Sequence, residues 1–430
     1  MIYSRSRLLL TIALFVGSYA YGMEEKKGPM NAEWFYAEEN PYAEANKALQ
    51  EKKWERAENG YKFLLSAPEG SEYDQDMAAL NLASAQMASR RPSKHWKAFG
   101  KLCGIAADRR LTQERLAYLT SGEAEGTVVV RSDQVGIGDI AHFLPVIPML
   151  KKAGVRDVRL AVRGFMHKPL QGPSEAYGMP LVNEKEADAV EGDHTHLLAL
   201  YGLLQVSPAN LRCEKAIYTT TERALGKIRE SMASHASKKI AIVFLGEDRA
   251  ATLIGGKQLP HDPKEHGRAL DAQSFEQLLR ERPNLLLLDC NPEGSRVKFD
   301  GDDHTNLGMS PDYQERVVPL PAEDEPFDSV IALGLIWNKE EGKLVGFAGD
   351  NGPPNLFSRT LTKEAQQRFA FIIPNGDEYD MRMEGEGDSY TQMLSHCRVY
   401  RCAKSEEQAA TIAEAYKEIT NPNEDSCTVI

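Results

Sequence analysis

The stretch Val128-Val-Val-Arg131-Ser-Asp-Gln134-Val-Gly136-Ile-Gly138-Asp139-Ile-Ala-His142-Phe-Leu-Pro145 decides the fold. Three β-branched residues in a row read as a buried strand. A turn flanked by glycines follows, and then an apolar-periodic helix that starts near Gly138. Asp139 falls where that turn meets the helix. A carboxylate there is held on a rigid junction and stabilised by the positive end of the helix dipole. Doubly wound α/β proteins place their chemistry at such strand-to-helix junctions.

Gly136-x-Gly138-x-x-Ala141 also fits the loose dinucleotide fingerprint, which asks for an acid about 20 positions on. The next strand reads Asp157-Val-Arg-Leu-Ala-Val-Arg163 and ends in a base. Pro145 and Pro148 break the long helix that a dinucleotide fold would need here. A dehydrogenase is the weaker reading of the motif.

The 430 residues suggest about two to three domains. A formal net charge of −12 argues against nucleic acid or an anionic membrane as partner, since both need a basic footprint. Arg5 and Arg7 precede the apolar run Leu8 to Val16, and Ser18-Tyr-Ala20 offers small residues for cleavage. Residues 1–20 therefore read as an export signal, with a periplasmic or secreted destination. The run is too short for a stable membrane span. The six cysteines show no metal-ligand spacing; Cys290 reads as a core residue, and nothing pairs Cys397 with Cys402.

Residues 21–32 form a polar linker. Residues 33–116 read as a helical module of at most two repeats. Trp54-x-x-Ala57-x-x-x-Tyr61 has the spacing of tetratricopeptide helices, and Ala78 to Ala85 continues as the next helix. So short a module should pack on the domain that follows, and it offers a surface for a protein partner. Residues 121–230 form a first α/β unit, with strands at Thr127–Arg131 and Asp157–Arg163 and a connecting helix at Thr221–Ser234. A second unit, 231–403, opens on Lys239-Ile-Ala-Ile-Val-Phe-Leu-Gly246, a run of the kind buried in a parallel sheet. Further strands are expected at Leu285–Cys290, Leu344–Phe347, Phe369–Ile373 and Arg398–Cys402, with a helix at Ser274–Arg282. Ser405-x-x-Gln408 reads as a capping box that opens a final helix over 404–420, before a tail at 421–430. His194 and His196 lack an acidic partner at ligand spacing, so they read as structural.

The pattern Arg131-Ser132 … Gly138-Asp139-x-x-His142-x-Leu144-Pro145 resembles the start of heptosyltransferase-type glycosyltransferases (glycosyltransferase family nine). With Gln134 and Gly136 it is also similar to related bacterial transferases linked to tetratricopeptide repeats. The segment from His194 to Leu204 resembles the one that closes their first domain. The resemblance implies a GT-B architecture, in which two Rossmann-like α/β domains face a cleft. It implies transfer of a sugar from a nucleotide sugar to an acceptor hydroxyl on a glycan or protein. Asp139 would be the general base, with His142 orienting the acceptor, and Gln134, Gly136 and Gly138 would line the site. No metal and no cofactor are implied, because the nucleotide sugar is a substrate and the protein's own positive charge can hold the leaving diphosphate.

For the donor the resemblance implies Asp-Thr-Gly-x-x-His-Leu. This chain has Asp350-Asn351-Gly352-Pro-Pro-Asn355-Leu356. The frame survives, but Asn351 and Asn355 replace the hydroxyl and the histidine. Asn can donate to a phosphate or ribose, yet it carries no charge and does not titrate. Arg268-Ala-Leu-Asp-Ala-Gln-Ser-Phe275 is similar to the basic segment expected to hold the diphosphate. Lys257-Gln-Leu-Pro260 matches an alternative register, and Arg268 is preferred. Export would separate a transferase from cytoplasmic donors. The second reading is therefore a GT-B-fold protein that has lost catalysis and binds a glycan, nucleotide or protein. A third is a scaffold that acts through its helical repeat.

Overall fold

The computed structural model describes residues 41–50, 53–67, 75–88, 104–122, 125–132, 136–206, 217–235, 237–245, 253–254, 257–258, 270–291, 296–299, 307–321, 327–340, 343–349, 352–374, 397–402 and 407–421. The expected signal and linker, and Cys103, Cys213 and Cys427, lie outside the described residues.

Three helices come first: α1 (Pro41–Gln50), α2 (Trp54–Leu65) and α3 (Gln75–Ala88). They close on a small core of Ala45, Ala57, Tyr61, Leu64, Ala78 and Leu82. Tyr61 donates to Asn46 Oδ1 (2.7 Å), and Asn81 donates to the same oxygen (3.2 Å), so one amide ties the three helices. Ala83 of α3 belongs to the main core of the α/β portion, so the helices pack on it.

Helix α4 (Gln113–Thr120) is capped by Thr112, whose hydroxyl accepts from the Arg115 amide. The first sheet unit follows: β1 (Thr127–Arg131), α5 (Ile137–Phe143), α6 (Val146–Lys152), β2 (Asp157–Val162), α7 (Gln171–Tyr177), β3 (Leu181–Asn183), β4 (Asp193–His196) and α8 (Ala199–Leu203). The helix breaks at Leu144 and Pro145, as the prolines require. Pro148 is tolerated at the third position of α6, where its missing N–H has no intrahelical partner to lose. The sheet is parallel, in the order β3-β2-β1-β4. Asp193–His196 is thus a strand, although its sequence carries no strand pattern.

Helix α9 (Glu222–Ala233), capped by Thr221, leads into the second unit. It contains β5 (Lys239–Phe244), the two-residue pair β6 (Leu253–Ile254) and β7 (Lys257–Gln258), α10 (Ala272–Glu281), β8 (Leu285–Asp289) and β9 (Val317–Pro319). It continues through α11 (Asp328–Trp337), β10 (Leu344–Ala348), α12 (Gly352–Thr360), α13 (Lys363–Gln366), β11 (Phe369–Pro374), β12 (Arg398–Cys402) and α14 (Gln408–Thr420). The main sheet is parallel, ordered β12-β11-β10-β5-β8-β9. Strands β8 and β10 are buried along their whole length and β5 everywhere but at Lys239, which explains their apolar runs. Cys290, Cys397 and Cys402 are buried free thiols.

The final helix departs from the capping-box expectation. Gln408 is its first residue, Glu407 stands at the N-cap, and no side chain caps it. Gln408 instead accepts from the Asp271 amide (2.9 Å), so tertiary packing takes the side chain that a capping box would use. No described helix is long and apolar enough to cross a membrane.

One hydrophobic core runs through both units. It joins Val128, Val130 and Leu160 of the first to Phe244, Trp337 and Leu356 of the second. Along α5 and α12 the two units are in direct contact. A second core, on the other face of the large sheet, packs α10 and α14 against β5 and β8.

Candidate functional site

Strand order fixes where ligands can bind. In the first sheet the chain runs outward through β1, β2 and β3, then returns to the other side of β1 as β4. In the second it runs through β5, β8 and β9, then returns beside β5 as β10. Each return is a topological switch point, and in open α/β sheets ligands bind outside the carboxyl ends of strands there. The segment leading to Gly136 and Gly138 leaves β1 at the first switch point. The segments that follow β5 and β10 begin at the second.

The helices that follow these segments meet. Gly136 is the N-cap of α5 in extended conformation (φ −76°, ψ 163°), which makes Asp139 the third helical residue. Gly352 opens α12. A Cβ placed on Gly138 would lie 2.8 Å from Gly352 Cα and 3.0 Å from Asn355 Cβ. Further along both helices, Arg359 Nε donates to His142 Nδ1 (3.1 Å) and its Nη2 to the His142 carbonyl (3.4 Å). The helices therefore run side by side in the same sense. Their amino ends, each carrying a partial positive charge, lie together at the carboxyl ends of the two sheets.

The seam has no exposed polar side chain among its described members. His142 is 0% exposed, Asn355 1% and Arg359 2%. His142, expected to orient the acceptor, instead faces Arg359 inside the protein. Asn355 is packed at the seam beside Gly138, so the position where the resemblance wants a histidine is turned inward. Asp139 lies on the described backbone, but its side chain, like that of Lys257, falls outside the described residues. Gln134, Arg268, Asp350 and Asn351 lie outside them entirely. The backbone at Lys257 forms the antiparallel pair with Leu253–Ile254.

Two contacts between the units carry at most a faint marker in the sequence. One is Arg359 itself. Its signal was its spacing, four residues after Asn355 and seven after Gly352 on one helical face. The other is an ion pair from Lys168 Nζ to the buried Asp328 carboxylate, at 2.7 Å. Beside it the Phe165 and Phe327 rings approach to 6.4 Å, and Phe327 holds a left-handed backbone (φ 73°) that is unusual for a bulky residue.

His194 and His196 occupy successive same-face positions of β4, opposite Val129 and Arg131 of β1. The His194 ring touches Arg109 and lies 3.1 Å from the Val190 carbonyl. Burial pushes its pKa below the usual 6.5, and the charges of Arg109 and Arg131 act in the same direction. The His196 Nδ1 accepts from the Leu198 amide. Both rings are used structurally. Among the described residues no group of three His, Cys, Asp or Glu could hold a metal ion. At the end of β8, Asp289 accepts from the Asn291 and Val297 amides, and burial pushes its carboxyl pKa up. It clasps the loop that follows.

No protein-family model matches the chain, and no curated protein matches it. Among solved structures, one described as a glycosyl transferase family 9 protein from Veillonella parvula DSM 2008 is similar to this chain. The likeness covers 70% of this chain and 98% of that one, at 10% identity and a TM-score of 0.38. A likeness that distant carries no residue roles from one protein to the other.

Proposed function

We propose that the chain is a glycosyltransferase-like protein of GT-B type, moving a sugar from a nucleotide donor to an acceptor hydroxyl with Asp139 as general base. The observation that carries the reading is the seam. The helix opened by Gly136-x-Gly138-Asp139 and the helix after Asp350-Asn351-Gly352 lie side by side, amino ends together, each fed from a switch point. An acceptor activated at Asp139 and a diphosphate near the start of α12 would then be neighbours, as transfer requires. The leaving diphosphate would draw on the α12 dipole and on Arg268, with no metal needed.

A second reading is favoured by one observation. Asn355, at the position where the resemblance implies a histidine, is buried at the seam and cannot supply a charge to the donor. The alternative is thus a catalytically inactive member of this architecture that binds a glycan, nucleotide or protein partner in the periplasm or outside the cell.

Calorimetric titration of the protein with nucleoside diphosphates and their sugars separates the readings. Micromolar binding that weakens in Arg268→Ala, with release of nucleoside diphosphate when acceptor is added, supports the transferase. Binding without turnover supports the inactive form. No binding to any of them sinks the donor-site assignment.

A further inference from the structure

We infer that Arg359 is a positioning residue for the proposed transfer. From α12 it reaches into the other unit and fixes α5, the helix bearing Asp139, through the ring and carbonyl of His142. The inference rests on the transferase reading above.

The first argument is cost. The Arg359 side chain is 2% exposed. No described carboxylate pairs with it, and its Nη1 is enclosed without a hydrogen-bond partner among the described residues. Its charge reaches Tyr201 and Cys397, where it opposes the rise that burial imposes on both groups. Burying a guanidinium that no described carboxylate compensates is expensive, and an apolar side chain of similar volume would serve stability better. Stability alone therefore does not account for an arginine here.

The second argument is direction. Two of its donors converge on one residue of the other unit, 217 positions away in the chain. The accepting carbonyl lies in the last turn of α5, where helix carbonyls lack intrahelical partners and the dipole is negative. Arg359 therefore caps a helix to which it does not belong. Donation to Nδ1 requires that nitrogen to be bare, so the His142 ring is neutral in this arrangement.

The third argument is leverage. His142 follows Asp139 by one turn of α5, and Arg359 follows Asn355 by one turn of α12. The fork sits one turn from each motif and sets how α5 rotates and slides on α12. Displacement of a reacting group by about 1 Å is enough to cost about 100-fold in rate. Donor affinity, built on the second unit alone, should not follow.

The test is steady-state sugar transfer with the donor found by the titration above. It compares the unsubstituted protein, Arg359→Met, Arg359→Lys, His142→Leu and the double variant Arg359→Met/His142→Leu. Arg359→Met should lower kcat about 100-fold while donor KM stays within about threefold. The double variant should be no slower than the slower single variant, because both remove one linkage. If Arg359→Met does not fold, Arg359→Lys carries the test. It keeps the charge but loses the two-pronged geometry, so kcat should still drop about tenfold or more at constant KM. Unchanged kcat in a folded Arg359 variant, equal losses in affinity and turnover, or additive losses in the double variant would overturn the inference. A protein that binds donor but transfers nothing overturns the transferase reading, and this inference with it.

Discussion

Gly138 and Gly352 meet with almost no room between them, yet the contact is one-sided. A Cβ on Gly138 would fall 2.8 Å from Gly352 Cα and 3.0 Å from its carbonyl oxygen. A Cβ on Gly352 would find nothing nearer than Ile137 Cγ2 at 3.5 Å, an ordinary contact. The two glycines therefore differ in consequence. Gly138→Ala must push α5 off α12 and should cost about 1–3 kcal/mol, the range for overpacking. Gly352→Ala should be close to neutral, or slightly stabilising through a less flexible unfolded chain. Urea unfolding of the two variants checks this, and equal effects would contradict the packing described.

Asp139→Asn preserves shape and removes the basic oxygen. If Asp139 takes the acceptor proton, kcat should fall by about 10²–10⁴, the usual contribution of a general base. The melting temperature and donor affinity should hold. Retained transfer in Asp139→Asn would end the base assignment, whereas retained binding with no transfer in either protein would favour the inactive reading.

The parts of the fold legible in sequence were those whose burial is symmetric or whose turns use special residues. Thr127–Arg131, Lys239–Phe244 and Leu285–Asp289 are apolar runs because parallel strands are covered on both faces. Asp193-His-Thr-His196 was not legible as a strand. It is the edge strand of the first sheet beside β1, with His194 and His196 on the face shared by Val129 and Arg131, so the usual apolar alternation is absent. Leu181–Asn183 and Val317–Pro319 are three-residue strands, too short to show any period. The site was legible in halves. Each glycine motif could be placed at a strand-to-helix turn, but their apposition depends on a crossing between distant segments. Arg359, inside an unremarkable Phe357-Ser-Arg-Thr360, gains meaning only when His142 is seen opposite. Whether Ser405 or packing would claim Gln408 also turned on a distant residue, Asp271.

Lys168 and Asp328 tie the two units at a second place, and their unequal burial makes a directional prediction. Asp328 is 2% exposed and Lys168 34%. Lys168→Met leaves a buried carboxylate without its cation, whereas Asp328→Asn leaves a partly solvated ammonium that water can serve. Lys168→Met should therefore be the more destabilising change, by about 2–3 kcal/mol against about 1 kcal/mol. Chemical denaturation of both variants measures the order. The reverse order would mean that the pair is not desolvated in solution.

His194 gives the stability of the first unit a pH dependence whose sign is fixed by burial. Its folded-state pKa lies below the ordinary 6.5, so on acidification the unfolded chain takes up the proton first. The stabilisation is fully present above about 6.5. It is lost as pH falls through that value toward the depressed folded pKa, and it changes no further below that. His194→Gln keeps a polar group near Arg109 and the Val190 carbonyl but does not titrate. It should lower stability at about pH 7.5 by about 1 kcal/mol, the scale of one hydrogen bond, and flatten the decline on acidification below about pH 6.5. Unfolding free energies of both proteins across that window decide the matter. An unaltered slope in His194→Gln would assign the acid sensitivity to another group.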